Sequence, residues 1–491
     1  MIGAGFGGLA AALRLAALGF RVTVLERLAE PGGRARVFRR DGFAFDAGPT
    51  VITAPFLLDE LFALHGERLS DHVALLPVSP AYRIRFADGS HFDYGGPPEE
   101  EAREIARLSP GDVEGYRRLL DRARRFHEIG FERFGARLFT RLRDAAAAAP
   151  HLLRAGALRP LHGLVARHLR DERLRRAFSL QTLLVGGDPF ATPGLFALIH
   201  HLERRHGVWF AKGGTGAIVA ALAGLAARAG VEFGFSTTVA RVEVSGGRAA
   251  GVVLEDGGRV AADVVVHAGD PAHLYRRMLP DGARRRRWSE RRLGRLRHSM
   301  GLFVLYFGTR RRFPGVAHHT IILGERYRDL LRDVFRRGVL PTGDTSLYLH
   351  RPTATDPSLA PPGRDAFYAL APAPNFGIGA GVDWAEAGPR LREAVLGILD
   401  RTVLPGVAEA VATEFFVAPP YFRDVLLSEH GAGFSAAPTL TQSAWFRFHN
   451  ASEELPGLYL AGAGTHPGAG LPGVLTSAKV LEALLLREAA R

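Results

Sequence analysis

The first 26 residues of the chain, MIGAGFGGLAAALRLAALGFRVTVLE (residues 1–26), bring three glycines together in the pattern G-x-G-x-x-G, at Gly3, Gly5 and Gly8. Between a strand and a helix, such glycines allow a tight turn, a close approach of the backbone to a pyrophosphate and close packing of the helix on the strand. Gly7 belongs to the same turn. The pattern therefore predicts a dinucleotide-binding loop at the start of an α/β fold.

The residues after the glycines fit the same unit. A helix rich in Ala and Leu is predicted as far as Leu18, Gly19 ends it, and Arg21–Leu25 follows as a buried strand that leads into Glu26. The N–H groups and the dipole at the start of the helix would bind phosphates. Glu26 stands at the distance expected for a side chain that binds ribose hydroxyls, and its charge would repel a 2′-phosphate.

The strand that should precede the glycines is short. Only Met1 and Ile2 come before Gly3, whereas a strand of about five residues is usual. Our hypothesis is that the natural chain starts upstream of Met1, because a valine codon in the motif VIGAG was read as the initiator. Sequencing the N-terminus of the native protein tests this expectation.

A second glycine loop follows closely. The motif PGGR contains Gly33 and Arg34, and the motif DAGPT contains Gly48, Pro49 and Thr50. A simple nicotinamide domain does not need this loop, whereas a larger dinucleotide does, because its far ring system has to pass the substrate region. Arg34 is a candidate partner of the pyrophosphate or of a flavin ring, and the alternative is an arginine in a solvated turn.

The middle of the chain predicts more of the nucleotide-binding half. Gly213 and Gly214 open a predicted helix over Ala217–Ala229, and short strands with Gly-Gly and Asp-Gly turns follow. By analogy with flavoproteins, the segment around Val239 would lie on the adenosine side.

The C-terminal stretch YLAGAGTHPGAGLPGVLTSAK (residues 459–479) places a glycine-rich loop between a predicted strand, Leu458–Ala461, and a predicted helix from Pro472 to about Arg487. The N-terminus of such a helix, aimed at one edge of an isoalloxazine, would stabilise negative charge there. Both ends of the chain are therefore predicted to bind one FAD. The candidate residues of this loop are Gly462, Thr465, His466, Pro472 and Gly473.

Several longer blocks resemble one protein family. They include FDAGPTVIT, LLVGGDPFATPG, LERRHGVWFAKGGTGA, SLYLHRPTATDPSLAP, LTQSAWFRFHN and GLYLAGAGTHPGAGLPGVLTSAK, and the resemblance covers essentially the whole chain. Together they are similar to the bacterial-type phytoene desaturases within the flavin amine oxidase-like enzymes. The resemblance implies an FAD-dependent oxidoreductase that desaturates phytoene in successive steps to neurosporene or lycopene. A long apolar tunnel is then expected, because this hydrocarbon offers no hydrogen-bonding group.

Desaturation requires a proton acceptor as well as a flavin. The candidates are Asp144, after an amphipathic stretch, Glu429, and His449 with Asn450. Asp144 is equally well explained as a carboxylate on a helix surface. His466 is expected to shape the loop or contact the flavin rather than to move protons. The histidines show no metal-ligand spacing, so no metal is predicted.

Composition limits the classes of partner. The 491 residues carry a formal net charge of +13 and no Cys, which excludes disulfides and thiolate chemistry, and the basic residues are too dispersed to predict nucleic-acid binding. No apolar run is long enough to span a membrane. We expect no secretion signal, because no basic region leads into an apolar segment at the start of the given sequence. Arginines alternate with apolar residues over Gly130–Phe178, which predicts a helical cap that lies on a membrane surface or packs on the core. We expect a peripheral protein on the cytoplasmic side of a membrane, and an oligomer stays open.

The predicted domains are discontinuous. Residues 1–66, 211–275 and 450–491 are expected to form a Rossmann-type FAD domain, and residues 67–210 and 276–449 an α+β substrate domain with the membrane-facing cap. Two alternatives remain for the function. One is a related flavoenzyme, such as another carotenoid desaturase, a carotenoid isomerase or, more distantly, an amine oxidase. The other is a non-catalytic lipid carrier on the same fold, comparable to the GDP-dissociation inhibitors of small GTPases.

Overall fold

A computed structural model of the chain describes residues 1–138, 147, 150–280, 283 and 287–490. These residues form a mixed α/β structure, as the sequence predicts. The longer α-helices are Phe6–Ala17, Phe56–Ala63, Pro98–Leu108, Val113–His127, Leu198–His206, Thr215–Arg228, Trp384–Thr402 and Leu471–Ala489. We refer to the first and the last of them as the N-terminal helix and the C-terminal helix.

A parallel sheet joins the two ends of the chain. Ile2 lies at its centre, bridged to Leu25 on one side and to His267 on the other. The Ile2 N–H donates to the Val266 carbonyl and the Gly3 N–H donates to the Leu25 carbonyl, both at 2.8 Å. The short first strand therefore still holds the central position. From one edge, the order is Glu232–Gly234, Thr23–Leu25, Ile2, Val265–His267 and Leu458–Leu460.

The N-terminal helix is held between this sheet and two other helices. Its small side chains, Ala10, Ala11 and Ala12, are fully buried and allow close approach to the C-terminal helix and to Thr215–Arg228. Arg14 is buried and donates to Glu482 at 2.6 Å and to Glu60 at 2.9 Å. These ion pairs tie the first helix to the last one, so the glycine loops at both helix starts are fixed relative to each other.

A larger sheet forms the second half of the molecule. It contains the apolar strand Gly301–Thr309, which is buried along its whole length and pairs antiparallel with Asp365–Ala373, so that Tyr306 faces Tyr368. Among the described strands of this sheet most neighbours are antiparallel, and only His319–Ile322 with Tyr82–Arg85 is parallel. The order is Val411–Val417, Gly301–Thr309, Asp365–Ala373, Leu347–His350, His319–Ile322, Tyr82–Arg85 and His91–Tyr94.

Three smaller sheets contain the other described strands. The strands Val239–Ser245, Arg248–Leu254 and Arg259–Ala261 form an antiparallel meander beside the parallel sheet. The remaining pairs are Val37–Arg40 with Phe43–Asp46, and Leu75–Pro77 with Trp209–Ala211.

The basic segment after residue 127 does not form one long amphipathic helix in the part of the chain that the structure describes. Val113–His127 continues into a π-helical stretch, Glu128–Arg133, and short helices follow at Leu161–Val165 and Glu172–Ala177. Phe134 is buried and exposed Arg133 and Arg137 each lie 5.5 Å from its ring centroid. Two other arginines of the predicted cap, at positions 141 and 143, lie outside the described residues. No helix among the described residues is both long and apolar enough to cross a bilayer.

Candidate active site

One large cavity of about 870 Å³ extends from the glycine loops at the chain ends into the half of the molecule that contains the seven-stranded sheet. Its first part is lined by the loops around Gly5, Gly33 and Gly462. Its second part is lined by apolar and aromatic side chains, which include Leu180, Leu183, Leu184, Leu195, Leu198, Ile199, Leu202, Met300, Leu302, Val304, Ile321, Leu323, Leu330, Leu331, Leu347 and Leu370. A polar groove and an apolar passage thus form a single space.

The glycines of the N-terminal loop are required by close contacts. A Cβ atom on Gly8 would lie 2.0 Å from the Gly3 carbonyl oxygen, so only glycine lets the helix start against this strand. A Cβ atom on Gly7 would lie 2.8 Å from the Gly462 Cα, so the loops from the two chain ends touch. Gly3, Gly5 and Gly7 line the cavity, whereas Gly8 packs behind them.

Two helices begin at this cavity without a side-chain cap. Gly5 precedes the N-terminal helix and Gly470 precedes the C-terminal helix, and neither offers a capping side chain. Their first-turn residues line the same wall, including Pro472 and Gly473. Uncapped N–H groups and the positive end of the helix dipole bind anionic groups. The pair of helix starts therefore fits a pyrophosphate and the electron-rich edge of a flavin ring.

Glu26 and Val239, which the sequence predicts on the ribose and adenosine side, both line the cavity. Glu26 is buried, and its two carboxylate oxygens accept hydrogen bonds from the Ala4 N–H at 2.7 Å and from the Leu28 N–H at 2.9 Å. A carboxylate has about four acceptor positions, so two remain for ribose hydroxyls. Asp270, on the neighbouring loop, keeps a buried Oδ2 with no donor among the described residues, which fits a hydroxyl of a bound nucleotide.

The second glycine loop lies on the same wall. Gly33, Arg34, Gly48, Pro49 and Thr50 all line the cavity. Arg34 is buried rather than solvated, and its guanidinium donates to the Gly433 carbonyl at 2.9 Å and to the Ser428 hydroxyl at 3.0 Å. Burial lowers the pKa of Arg34. Arg34 therefore links the second glycine loop to the segment that contains Ser428 and Gly433.

Thr50 connects this loop to the large sheet. Its hydroxyl lies 2.8 Å from the Tyr368 hydroxyl and 3.1 Å from the Tyr348 hydroxyl, and all three residues line the cavity. The three hydroxyls bond one another, so their polar atoms are paired in this wall.

The C-terminal loop is fixed by buried hydrogen bonds. The Thr465 hydroxyl donates to the Gly462 carbonyl at 2.9 Å and lies behind the cavity wall, whereas Gly462 and His466 line it. Burial lowers the pKa of His466 to about 3, so its ring is neutral at physiological pH. The Asn450 side-chain amide donates to the carbonyls of Leu460, His466 and Ser477, each at 3.2 Å. In this structure Asn450 therefore braces the loop.

The predicted proton acceptors are placed differently from the predicted cofactor-binding residues. Asp144 lies outside the described residues. Glu429 forms an ion pair with Arg276, and His449 bonds the Trp445 carbonyl at 2.8 Å and the Glu453 carboxylate at 3.0 Å. Neither Glu429 nor His449 lines the large cavity, and His449 and Asn450 face a smaller one of about 200 Å³. Their catalytic role stays a prediction.

Glu203 is a cavity-lining carboxyl that sequence reasoning did not single out. It lies on the helix Leu198–His206, is only 4% exposed, and accepts hydrogen bonds from the hydroxyls of Tyr82 at 2.9 Å and Tyr94 at 2.8 Å. Burial raises the pKa of Glu203 to about 7, although the two phenol hydrogen bonds oppose this rise. This carboxyl can therefore change its charge near neutral pH.

The sequence and the geometry together match known proteins. Residues 6–480 match the family described as flavin containing amine oxidoreductase. The chain is 46% identical, over 100% of its length and 97% of the relative's, to a lycopene-forming phytoene desaturase from Paracoccus sp.. It is 43% identical to a neurosporene-forming phytoene desaturase from Rhodobacter capsulatus, over 99% and 93% of the two chains.

The chain belongs to the flavin containing amine oxidoreductase family. The resemblance to bacterial phytoene desaturases that the motifs indicated is thereby confirmed, as are the predictions of an oxidoreductase and of FAD as its cofactor. A solved oxidoreductase from Methanosarcina mazei has the same fold, with a TM-score of 0.65 at 18% identity over 99% of both chains.

Arg447 is a further residue of the family fold that sequence reasoning passed over. It is fully buried in the block LTQSAWFRFHN and lines the cavity. Its guanidinium donates to the carbonyls of Ala463 at 2.7 Å and Thr465 at 3.0 Å, and to those of Ala436 and Gln442 at 3.3 and 3.4 Å. The available signal in the sequence was an arginine between aromatic residues, two positions before His449. Arg447 fixes the C-terminal loop and brings a positive charge to the cavity wall.

Three buried histidines meet in the large sheet, which their positions in the sequence did not indicate. One nitrogen from each of His318, His319 and His350 lies within 4.8 Å of the others. The Nε2 atoms of His318 and His350 are 3.1 Å apart, and His319 Nδ1 lies 2.7 Å from the Tyr348 hydroxyl. His318 Nδ1 also lies 2.6 Å from the Thr355 hydroxyl, so each of the three imidazoles is engaged in at least one hydrogen bond. We interpret the cluster as a hydrogen-bonded brace behind the Tyr348 wall.

Proposed function

We propose that this flavoprotein desaturates phytoene in successive steps to neurosporene or lycopene. The observation that carries the proposal is the single cavity that joins the nucleotide loops to an apolar passage. A small amine substrate would need a compact polar site, whereas a C40 hydrocarbon needs a long surface without unpaired polar groups. The phytoene desaturases that the chain resembles over its whole length support the same substrate.

We assign the cofactor-binding residues from the cavity wall. The loop with Gly3, Gly5 and Gly7 would bind the pyrophosphate, Glu26 the ribose, and Arg34 with the Gly462–Gly473 loop the flavin. When bound, the flavin supplies the hydride acceptor that the reaction needs. The apolar side chains of the passage would place the C–H bonds of the substrate against it and exclude water.

The domain division follows the same assignment. Residues 1–66, 211–275 and 450–491 supply the strands of the parallel sheet and most of the nucleotide loops. We therefore propose them as the FAD domain, with residues 67–210 and 276–449 as the substrate domain.

We also propose that the substrate enters from a membrane surface. Leu440 and Phe446 line the cavity and are 44% and 42% exposed, so an apolar opening reaches the surface there. Phe134 packs in one cluster with Trp445 of the same opening, and exposed Arg133 and Arg137 flank Phe134. Apolar residues flanked by arginines suit the interface of an anionic bilayer.

Two measurements test the proposed function. The protein is expressed in a host that accumulates phytoene, and the pigments are separated; coloured, more conjugated carotenoids are expected. The absorbance spectrum of the purified protein should show bound FAD. FAD bound to a protein that leaves phytoene untouched would point to another isoprenoid substrate, and a colourless protein would favour the lipid carrier.

A further inference from the structure

Glu203 is the acidic side chain of the apolar passage. Among the described residues that line the cavity, the other acids, Glu26 and Asp270, belong to the nucleotide loops. Glu203 instead shares its helix wall with Leu198, Ile199 and Leu202. Placing an ionisable group in the wall of a hydrocarbon passage costs free energy, so its presence there points to a function.

Two tyrosines orient this carboxyl. Tyr82 and Tyr94 are fully buried on adjacent strands, and each donates to a different oxygen of Glu203. Because both oxygens are held, the side chain has a fixed direction. Tyr82 itself lines the cavity beside Glu203.

The surrounding hydrogen bonds accommodate both charge states. The His200 Nε2–H lies 3.0 Å from the Phe178 carbonyl, which leaves His200 Nδ1 as an acceptor 2.7 Å from the Tyr94 hydroxyl. When Glu203 is ionised, Tyr94 donates to it, and His200 Nδ1 then receives no proton from this phenol. When Glu203 is protonated, it donates to Tyr94, and the phenol proton turns to His200 Nδ1. Neither state leaves the carboxyl without a partner.

The charges near Glu203 are balanced. Arg204, on the same helix, forms an ion pair with Glu101 and donates to the Tyr94 hydroxyl at 3.2 Å. Arg204 lowers and Glu101 raises the pKa of Glu203. The titratable and charged groups that face this carboxyl among the described residues are Tyr82, Tyr94, Glu101, His200 and Arg204.

We infer that the Glu203 carboxylate is the base that accepts the proton released in each desaturation. This inference rests on the proposed function. One C–H bond of the substrate breaks with its electron pair, and that hydride passes to the oxidised flavin. The adjacent C–H bond gives its proton to a Glu203 oxygen, and its electron pair becomes the new π bond. A quinone or dioxygen then has to take the two electrons from the reduced cofactor, and Glu203 releases its proton before the next step.

The first test is the isosteric variant Glu203→Gln in the FAD-loaded enzyme. The amide keeps the size of the side chain but cannot accept the proton, so kcat should fall by about 10²-fold or more. The wild-type rate should rise with pH around an apparent pKa near 7, and this limb should be absent from the residual rate of the variant. Asp188→Asn is the matched control, because Asp188 is a buried carboxyl outside the cavity wall whose pKa burial also raises.

The second test shifts the pKa of the Glu203 carboxyl without removing the carboxyl. Tyr82→Phe deletes a phenol that donates to the carboxylate and lowers the pKa of Glu203. The rising limb of the rate should therefore move to higher pH. A role in packing alone would change the folding stability and not the position of this limb.

A third measurement is independent of turnover. Infrared spectra over a pH titration should show a carboxylic acid band that disappears near pH 7 in the wild type and is missing in Glu203→Gln. A variant that keeps the wild-type rate and pH limb, or a wild type without this band, would overturn the inference. Failure of the proposed function looks different, since the wild type itself would then leave phytoene unchanged.

Discussion

Gly7 and Gly462, which lie at opposite ends of the sequence, pack so closely that a Cβ atom added to Gly7 would lie 2.8 Å from the Gly462 Cα. The contact brings the start of the N-terminal helix against the loop before the C-terminal helix. Because neither helix start is capped by a side chain, both present N–H groups to one cavity. The proposed cofactor site is therefore built from the two ends of the chain at once.

We expect Gly7→Ala to destabilise the protein by about 1–3 kcal/mol and to weaken FAD retention, because the added methyl group has to push backbone apart. Thermal unfolding and the ratio of flavin to protein after gel filtration measure this. Gly315→Ala is the control, since a Cβ there meets no atom within 4 Å. Equal flavin content and stability in both variants would contradict the contact.

Glu26→Gln should weaken FAD binding about tenfold or more, because a hydrogen bond to a charged group contributes about 1.5–3 kcal/mol. The Ala4 N–H can still donate to the amide oxygen, so the fold should persist. Fluorescence titration of the apoprotein with FAD measures the affinity. Glu255→Gln, on an exposed turn, should bind FAD like the wild type.

Arg447→Lys should lower the free energy of unfolding by about 2 kcal/mol or more, because an ammonium cannot serve four carbonyls and buried acceptors lose their donors. Urea unfolding, monitored by fluorescence and by flavin release, measures this change in the free energy of unfolding. The exposed Arg423→Lys is the comparison. An unchanged unfolding curve for Arg447→Lys would show that this guanidinium does not hold the loop.

Replacing both Leu440 and Phe446 by Ser should reduce flotation with anionic vesicles while leaving FAD content unchanged, because the apolar opening loses its contact with the bilayer. Charge reversal at Arg133 and Arg137 should act in the same direction and more strongly at low salt. Leu486→Ser is the matched control, since Leu486 is 52% exposed and does not line the cavity. Undiminished flotation of both sets of variants would exclude this opening as the membrane contact.

The pKa of Glu203 predicts a pH-dependent stability. Burial raises this pKa from 4.5 to about 7, so between these values the folded protein keeps a proton that the unfolded chain has lost. The free energy of unfolding should therefore fall as pH rises through this window, by about 3 kcal/mol at about 1.4 kcal/mol per pKa unit. Glu203→Gln should remove that part of the fall. Urea unfolding at several pH values measures the free energy of unfolding for both proteins. If this free energy depended on pH in the same way for the variant and the wild type, a raised pKa of Glu203 would be contradicted.

Much of the nucleotide-binding half could be predicted because its requirements are local. The strand predicted at Arg21–Leu25 is found at Thr23–Leu25, and the helix predicted from Pro472 to Arg487 is found at Leu471–Ala489. Glycine spacing, a helix start and an acid after the second strand are adjacent in the chain, so the sequence displays them directly. The packing of the helical cap was harder to predict, because alternating arginines and apolar residues do not show which neighbour covers the apolar side. The structure turns Phe131 and Phe134 to the cavity.

By itself the sequence determined the α/β class, the dinucleotide loop, the flavin and the family, since each depends on short motifs or on similarity along the whole chain. Only the tertiary structure decided which polar groups face the apolar passage. Glu203 stands in LERRHGVW like any helix-surface acid, and Tyr82 and Tyr94, the partners that bury and orient it, come from distant strands. Burial and the choice of hydrogen-bond partner are properties of the packed chain, and they set whether a carboxyl is a solvated charge or a base near neutral pH.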